Sequence, residues 1–188
     1  MAALKRFKKL LLPQNTALLM IDMQERILPV ISNHQNLVQN TLKLIKGFKV
    51  MNLPIYYTEQ YPKGLGHTTE EIKNELADAE HFEKMSFSCF GAADLFNTFK
   101  EKNISQIIVT GVEAHVCVQQ TVLDLLENDF QANIAADAVS SRREKDYKIA
   151  LERMRDHGAE ITTAESILFE LLNICGTDTF RQVSKIVK

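Results

Sequence analysis

The 188-residue sequence has no C-x-x-C pair, no H-x-H or H-E-x-x-H run, no glycine-rich phosphate loop and no long apolar stretch. Each absence excludes a class. The three cysteines, Cys89, Cys117 and Cys175, are odd in number and far apart, which argues against a structural zinc, a dithiol motif or a disulfide framework and for reduced thiols. The five histidines, His34, His67, His81, His115 and His157, lack metal-ligand spacing, so no metal is expected. After the first apolar run comes MQERILP, which cannot cradle phosphates as G-x-G-x-x-G or G-x-x-x-x-G-K would, so no nucleotide cofactor is expected. Lys+Arg 22 against Asp+Glu 24 gives a net charge of -2, no footprint for a nucleic-acid partner. The longest apolar runs, such as 17–21, fall far short of the roughly 20 residues that cross a bilayer. The opening KRFKKLLLP is basic, then briefly apolar, too short for a secretory leader, and a cytoplasmic protein is expected.

Hydrophobic residues make up 45% of the chain and charged residues 24%, enough apolar material for a sizeable core. With no Pro/Gly/Ser-rich linker, one domain over residues 1–188 is expected. Short apolar runs at 16–22 (TALLMID), 54–58 (PIYYT), 106–111 (QIIVTG) and 132–136 (ANIAA) predict buried parallel strands, with shorter ones at 81–83 and 160–163. Between them, apolar residues three and four apart predict helices: Leu37, Leu44, Ile45 and Phe48; Ala92, Leu95, Phe96 and Phe99; Val118, Val122 and Leu125; Tyr147, Ala150, Leu151 and Met154. Gly158 ends the last of these, and the tail carries Phe180, Val183 and Val187 at helical spacing. This alternation predicts an α/β fold: a doubly wound, Rossmann-like, mainly parallel sheet in three layers, with helices on both faces.

Ligands of such sheets bind beyond the carboxyl ends of the strands, which singles out 22–24, 59–61, Lys84, 112–117 and Asp137. Cys117 follows a strand by a short turn and opens a helix, where unpaired N–H groups lower a thiol's pKa and receive an oxyanion; a small buried hydrophobe is the alternative. Asp22 ends an apolar strand and is either a base or a helix cap. Lys84, before Met85, Ser86 and Phe87, is either a cation in an apolar pocket or a solvated surface lysine.

The segments LLMIDMQ, TEQYPKGLG, FEKMSFSCF, GVEAHVCV and DAVSSR, in that order, resemble the isochorismatase-like cysteine hydrolases, most of all the small isochorismatase-domain-containing ones. The resemblance implies a catalytic triad of Cys117, Asp22 and Lys84. It also implies a cis peptide between Val112 and Glu113, with backbone N–H groups of Glu113 and Cys117 as the oxyanion hole. Met23, Gln24, Tyr61, Phe87, Glu113 and His115 are candidates for the substrate pocket. Nicotinamidases of the superfamily carry an aspartate and histidines as metal ligands after the second strand, where this chain has Thr58, Glu59, Gln60 and Tyr61 with only His67 nearby. The expected activity is hydrolysis of a small-molecule carbon–nitrogen (amide) bond through a thioester. Vinyl-ether cleavage of an isochorismate-like acid and a non-catalytic binding or scaffold role are the alternatives. Relatives commonly assemble, so a homo-oligomer, a dimer or higher, is expected.

Overall fold

The structure, a computed structural model, describes residues 6–92 and 94–188; residues 1–5, among them the start of the basic opening segment, lie outside it. Six strands form one parallel sheet: β1 (Thr16–Ile21), β2 (Ile55–Gln60), β3 (Glu80–Lys84), β4 (Gln106–Val112), β5 (Gln131–Ser140) and β6 (Glu160–Thr162). Their order is β3-β2-β1-β4-β5-β6, so the chain winds outward from β1 in one direction and from β4 in the other. Among the described residues eight α-helices accompany them: α1 (His34–Val50), α2 (Pro62–Leu65), α3 (Glu70–Lys73), α4 (Leu95–Glu101), α5 (Gln119–Glu127), α6 (Glu144–Asp156), α7 (Ala164–Leu172) and α8 (Asp178–Ile186).

Because side chains alternate along a strand, β1 feeds two cores. Ala17, Leu19 and Ile21 pack with Leu95, Phe96 and Phe99 of α4, Val122 and Leu125 of α5 and Met154 of α6. Leu18 and Met20 point the other way, to Leu44, Ile45 and Phe48 of α1, Ile72 of α3, Ile167 and Leu168 of α7 and Val183 of α8. The periodic stripes thus face the sheet as expected, and the tail helix packs against α1. Gly158 adopts φ 104° two residues after α6 ends.

Three features depart from the sequence reading. β5 runs on to Ser140 rather than stopping near Ala136, and its pairing with β4 shifts register between Val109 and Gly111. Helix α7 is an extra element, started by Thr163, whose hydroxyl accepts from Ser166 N, and by Asp137, whose carboxylate accepts from Ala164 N at 2.8 Å. Asp137, singled out by its place near a strand end, is thereby engaged in holding a helix start. Short helices α2 and α3 occupy the long link between β2 and β3.

At the register shift, Gly111 has φ 116°, and a Cβ there would lie 2.1 Å from the backbone oxygen of Ile21. Only glycine lets β4 run this close to the end of β1. That approach sets the distance between the residues that follow the two strands.

Candidate active site

The winding reverses between β1 and β4, and three of the singled-out residues meet there. Asp22 immediately follows β1, with φ 53° and its side chain buried. Its Oδ1 accepts from Thr58 Oγ1 at 2.7 Å and its Oδ2 from Lys84 Nζ at 2.6 Å. Lys84, the last residue of β3, is also buried and donates to Gln60 Oε1 at 3.2 Å, Phe87 O at 3.0 Å and Ser86 O at 3.3 Å. It is not a solvated surface lysine. Four acceptors around one ammonium hold the cation in place, and its charge offsets that of the carboxylate.

Cys117 lies in a π-type turn, Ala114–Val118, that leads into α5. The sequence places it in the first turn of an ordinary helix; the chain instead winds one residue wider, closed by Val118 N donating to Glu113 O at 3.2 Å. The peptide between Val112 and Glu113 is cis. The thiol, 4% exposed, donates to Gln60 Oε1 at 3.1 Å and faces the Asp22 carboxyl.

The electrostatics reverse one expectation. Burial, and then the Asp22 charge, push the Cys117 thiol well above the ordinary thiol range, with Lys84 only partly opposing them. Burial likewise raises the Asp22 carboxyl, against the pull of Lys84, Thr58 and Cys117. Burial would depress Lys84, but Asp22 and the two nearby thiols more than offset this, so the ammonium is held. Cys89, wholly enclosed behind Thr58 and Thr121, is pushed up to about 11 by burial. The resting site thus holds a neutral thiol beside a carboxyl of raised proton affinity. In the resting protein iodoacetamide will modify exposed Cys175 before Cys117, and labelling of Cys117 will begin only above the ordinary thiol range. Asp22→Asn will move that onset to lower pH, because the carboxylate charge is one of the causes raising the thiol. Peptide mass mapping across pH reads both effects, and labelling of Cys117 ahead of Cys175 at neutral pH would contradict them.

The pocket candidates divide. Tyr61 and Phe87 are about half exposed and His115 is part-exposed, with its Nδ1 2.9 Å from Ser141 Oγ. Met23 and Gln24 have no solvent exposure: Met23 sits in the α1 core, and Gln24 braces the site from behind, donating to Gln60 O and Gly66 O and accepting from Gln60 N. Glu113 is buried and its carboxylate is taken by the N–H and Nε of Arg142 at 2.9 and 3.1 Å. Of the six candidates, Tyr61, Phe87 and His115 present surface to solvent, whereas Met23 and Gln24 present none. Gln60, which the sequence singles out within 59–61 without assigning it a role, has one oxygen that accepts from both Cys117 and Lys84.

A profile of the Isochorismatase domain matches residues 16–166, most of the chain and all of the strands. The chain belongs to the isochorismatase family. It is 39% identical to "Isochorismatase family protein 1B" of Dictyostelium discoideum over 95% of this chain and 88% of that one. It is 35% identical to "Secreted isochorismatase effector Isc1" of Phytophthora sojae, over 100% of this chain and 90% of the relative. Among solved structures, a "MAR1 Ribonuclease from Caenorhabditis elegans" superposes with a TM-score of 0.88 at 35% identity, covering 94% of this chain and 91% of that one. The isochorismatase family is one of hydrolases, on a three-layer α/β fold that this chain shares. Among the described residues no helix is long and apolar enough to cross a membrane.

Proposed function

We propose that this isochorismatase-family hydrolase is a cysteine amidase that cleaves a small carbon–nitrogen bond through a thioester on Cys117. The observation that carries the reading is geometric: a buried thiol faces a buried carboxyl that Lys84 Nζ holds at 2.6 Å, and burial raises the proton affinity of both groups. A thiol held neutral needs a proton acceptor at the moment of attack, and a carboxylate with a raised pKa is a better-matched base than an ordinary one. Asp22 takes the Cys117 proton as sulfur attacks the carbonyl carbon. It then gives the proton to the departing amine as the carbon–nitrogen bond breaks. Water, deprotonated by the same carboxylate, next attacks the thioester, releases the acid and restores the thiol. Lys84 balances the carboxylate and the developing thiolate, and the N–H groups of Glu113 and Cys117 receive the oxyanion. Gln60 holds the resting thiol by accepting its hydrogen, and the S–H turns from Gln60 Oε1 to the Asp22 carboxylate as the attack begins.

No resident cofactor or metal enters these steps. Vinyl-ether cleavage of a dianionic acid, or attack on an RNA phosphate, calls for uncommitted cations at the thiol, whereas Lys84 is paired with Asp22 and Arg142 with Glu113. A purely binding role leaves the thiol–carboxyl–ammonium arrangement without a purpose. Screening small primary amides for amine release tests the proposal: the best substrate is expected to need Cys117. Amine release at an undiminished rate by Cys117→Ala would refute it.

We also propose a homo-oligomer in the cytoplasm. Tyr61, Met85, Phe87 and Phe90 are all exposed on the segments that follow β2 and β3, and a second copy would cover this apolar rim. Three free thiols fit a reducing compartment. A light-scattering mass well above the 21.4 kDa of one chain is expected, and a mass equal to it at micromolar concentration would contradict the assembly.

A further inference from the structure

Residues of β2 alternate between the sheet's faces, so while Thr58 and Gln60 serve the thiol site, Glu59 points to the opposite face. There it is buried, and its charge meets no lysine or arginine among the described residues. Its Oε1 accepts from Thr68 N at 2.7 Å; its Oε2 lies 2.9 Å from His67 Nδ1 and 3.5 Å from His81 Nε2. In register across from it on β3 is a second carboxylate, Glu83, and ligand atoms of Glu59, His81 and Glu83 lie within 4.8 Å of one another. Two carboxylates directly opposite on neighbouring strands repel each other unless a cation sits between them. The Thr68 hydroxyl is buried against the same carboxylate and has no hydrogen-bond partner beyond it.

We propose that Glu59, His81 and Glu83, with His67 at the rim, form a divalent transition-metal site, best suited to zinc. Imidazole and carboxylate together favour zinc over calcium or magnesium, which prefer all-oxygen sets. The 3.5 Å between Glu59 Oε2 and His81 Nε2 matches the edge of a tetrahedron whose bonds are about 2.1 Å long. His67 and Glu83 are exposed, so an ion can enter from solvent, while Glu59 forms a rigid floor. The site lies on the face of the sheet away from Cys117, so the ion is a clamp rather than a participant in turnover. It ties β2 to β3 behind Gln60 and Lys84, and through the link at His67 and Thr68 it holds the segment after Asp22, where Glu25 N donates to His67 O and Thr69 N to Met23 O. The expectation of no metal rested on sequence spacing, which cannot register ligands brought together from two strands and a loop.

The test uses the full chain carrying Cys175→Ser, to remove the exposed thiol, stripped with EDTA and titrated with zinc chloride alone. One zinc per chain is expected, raising the melting temperature by about 5–10 °C at roughly 100 times Kd. His81→Ala and Glu83→Gln should each weaken binding by more than about tenfold while melting near the metal-free parent. Cobalt in place of zinc should show the visible absorption of a tetrahedral site without a thiolate charge-transfer band. Amide turnover at room temperature should survive EDTA, which separates this proposal from the reading of the thiol site. Zinc that fails to raise the melting temperature, binds equally well to the variants, or produces a thiolate band with cobalt would overturn it.

Discussion

Replacing Cys117 with alanine should lower amide turnover by about 10⁴-fold or more while leaving substrate affinity nearly unchanged, because the lost bond is made only during reaction. The thiol is 4% exposed and contributes little surface to ground-state binding, so KM or Kd should stay close to the parent value. Asp22→Asn should cost about 10²–10⁴-fold, since an amide side chain cannot accept the thiol proton. The two variants are told apart by alkylation: Asp22→Asn retains a labelable Cys117 with an earlier onset, whereas Cys117→Ala has none. Because these residues act as a unit, the double variant should be scarcely worse than Cys117→Ala. Steady-state kinetics with the best amide checks all three, and a double variant whose loss equals the product of the single losses would contradict the shared step.

Lys84→Met should destabilise the fold by about 3–5 kcal/mol, because it keeps the volume but leaves Asp22 buried without its ion pair. The loss should depend on pH in a defined direction. Burial already raises the Asp22 carboxyl, and removing the ammonium raises it further, so the folded variant holds its proton more tightly than the unfolded chain does. Stability of the variant therefore declines as pH rises above the ordinary carboxylate range, and the gap from the parent widens toward neutral pH. The same change should delay alkylation of Cys117 to higher pH, since Lys84 is the charge that favours the thiolate. Urea unfolding at pH 5 and pH 8, with labelling alongside, tests both. Equal destabilisation at the two pH values would mean that Asp22 does not carry the uncompensated charge.

Much of the fold was legible in the sequence because a buried parallel sheet writes itself as short apolar runs. All six strands fall on or within a few residues of those runs, and the α1, α4, α5 and α6 stripes face the sheet. The extension of β5 was not legible, since its last residues are small and polar and depend on the shift opposite Gly111. Helix α7 carried a signal that went unused: Thr163 three residues before Ser166, then Ile167, Leu168 and Leu171 at helical spacing. At the site, position after a strand was enough to nominate Asp22, Lys84 and Cys117. The direction of the thiol's shift was not, because burial and the distance to Asp22 are properties of the fold rather than of the chain. Gln60 and Glu59 were singled out by position within 59–61, but their roles were not legible for a related reason: strand alternation sends Gln60 to one face and Glu59 to the other, and their partners come from β3, the following loop and the turn before α5.

The central claim is a covalent bond between the acyl group and Cys117, and rapid acid quenching with intact and peptide mass spectrometry tests it most directly. Mixed with the best amide, the protein should show a burst of amine matched by an acyl mass increase on the peptide containing Cys117, decaying as acid product forms. Amine released with Cys117 unmodified at every quench time would contradict the account and turn the chemistry over to water activated by Asp22.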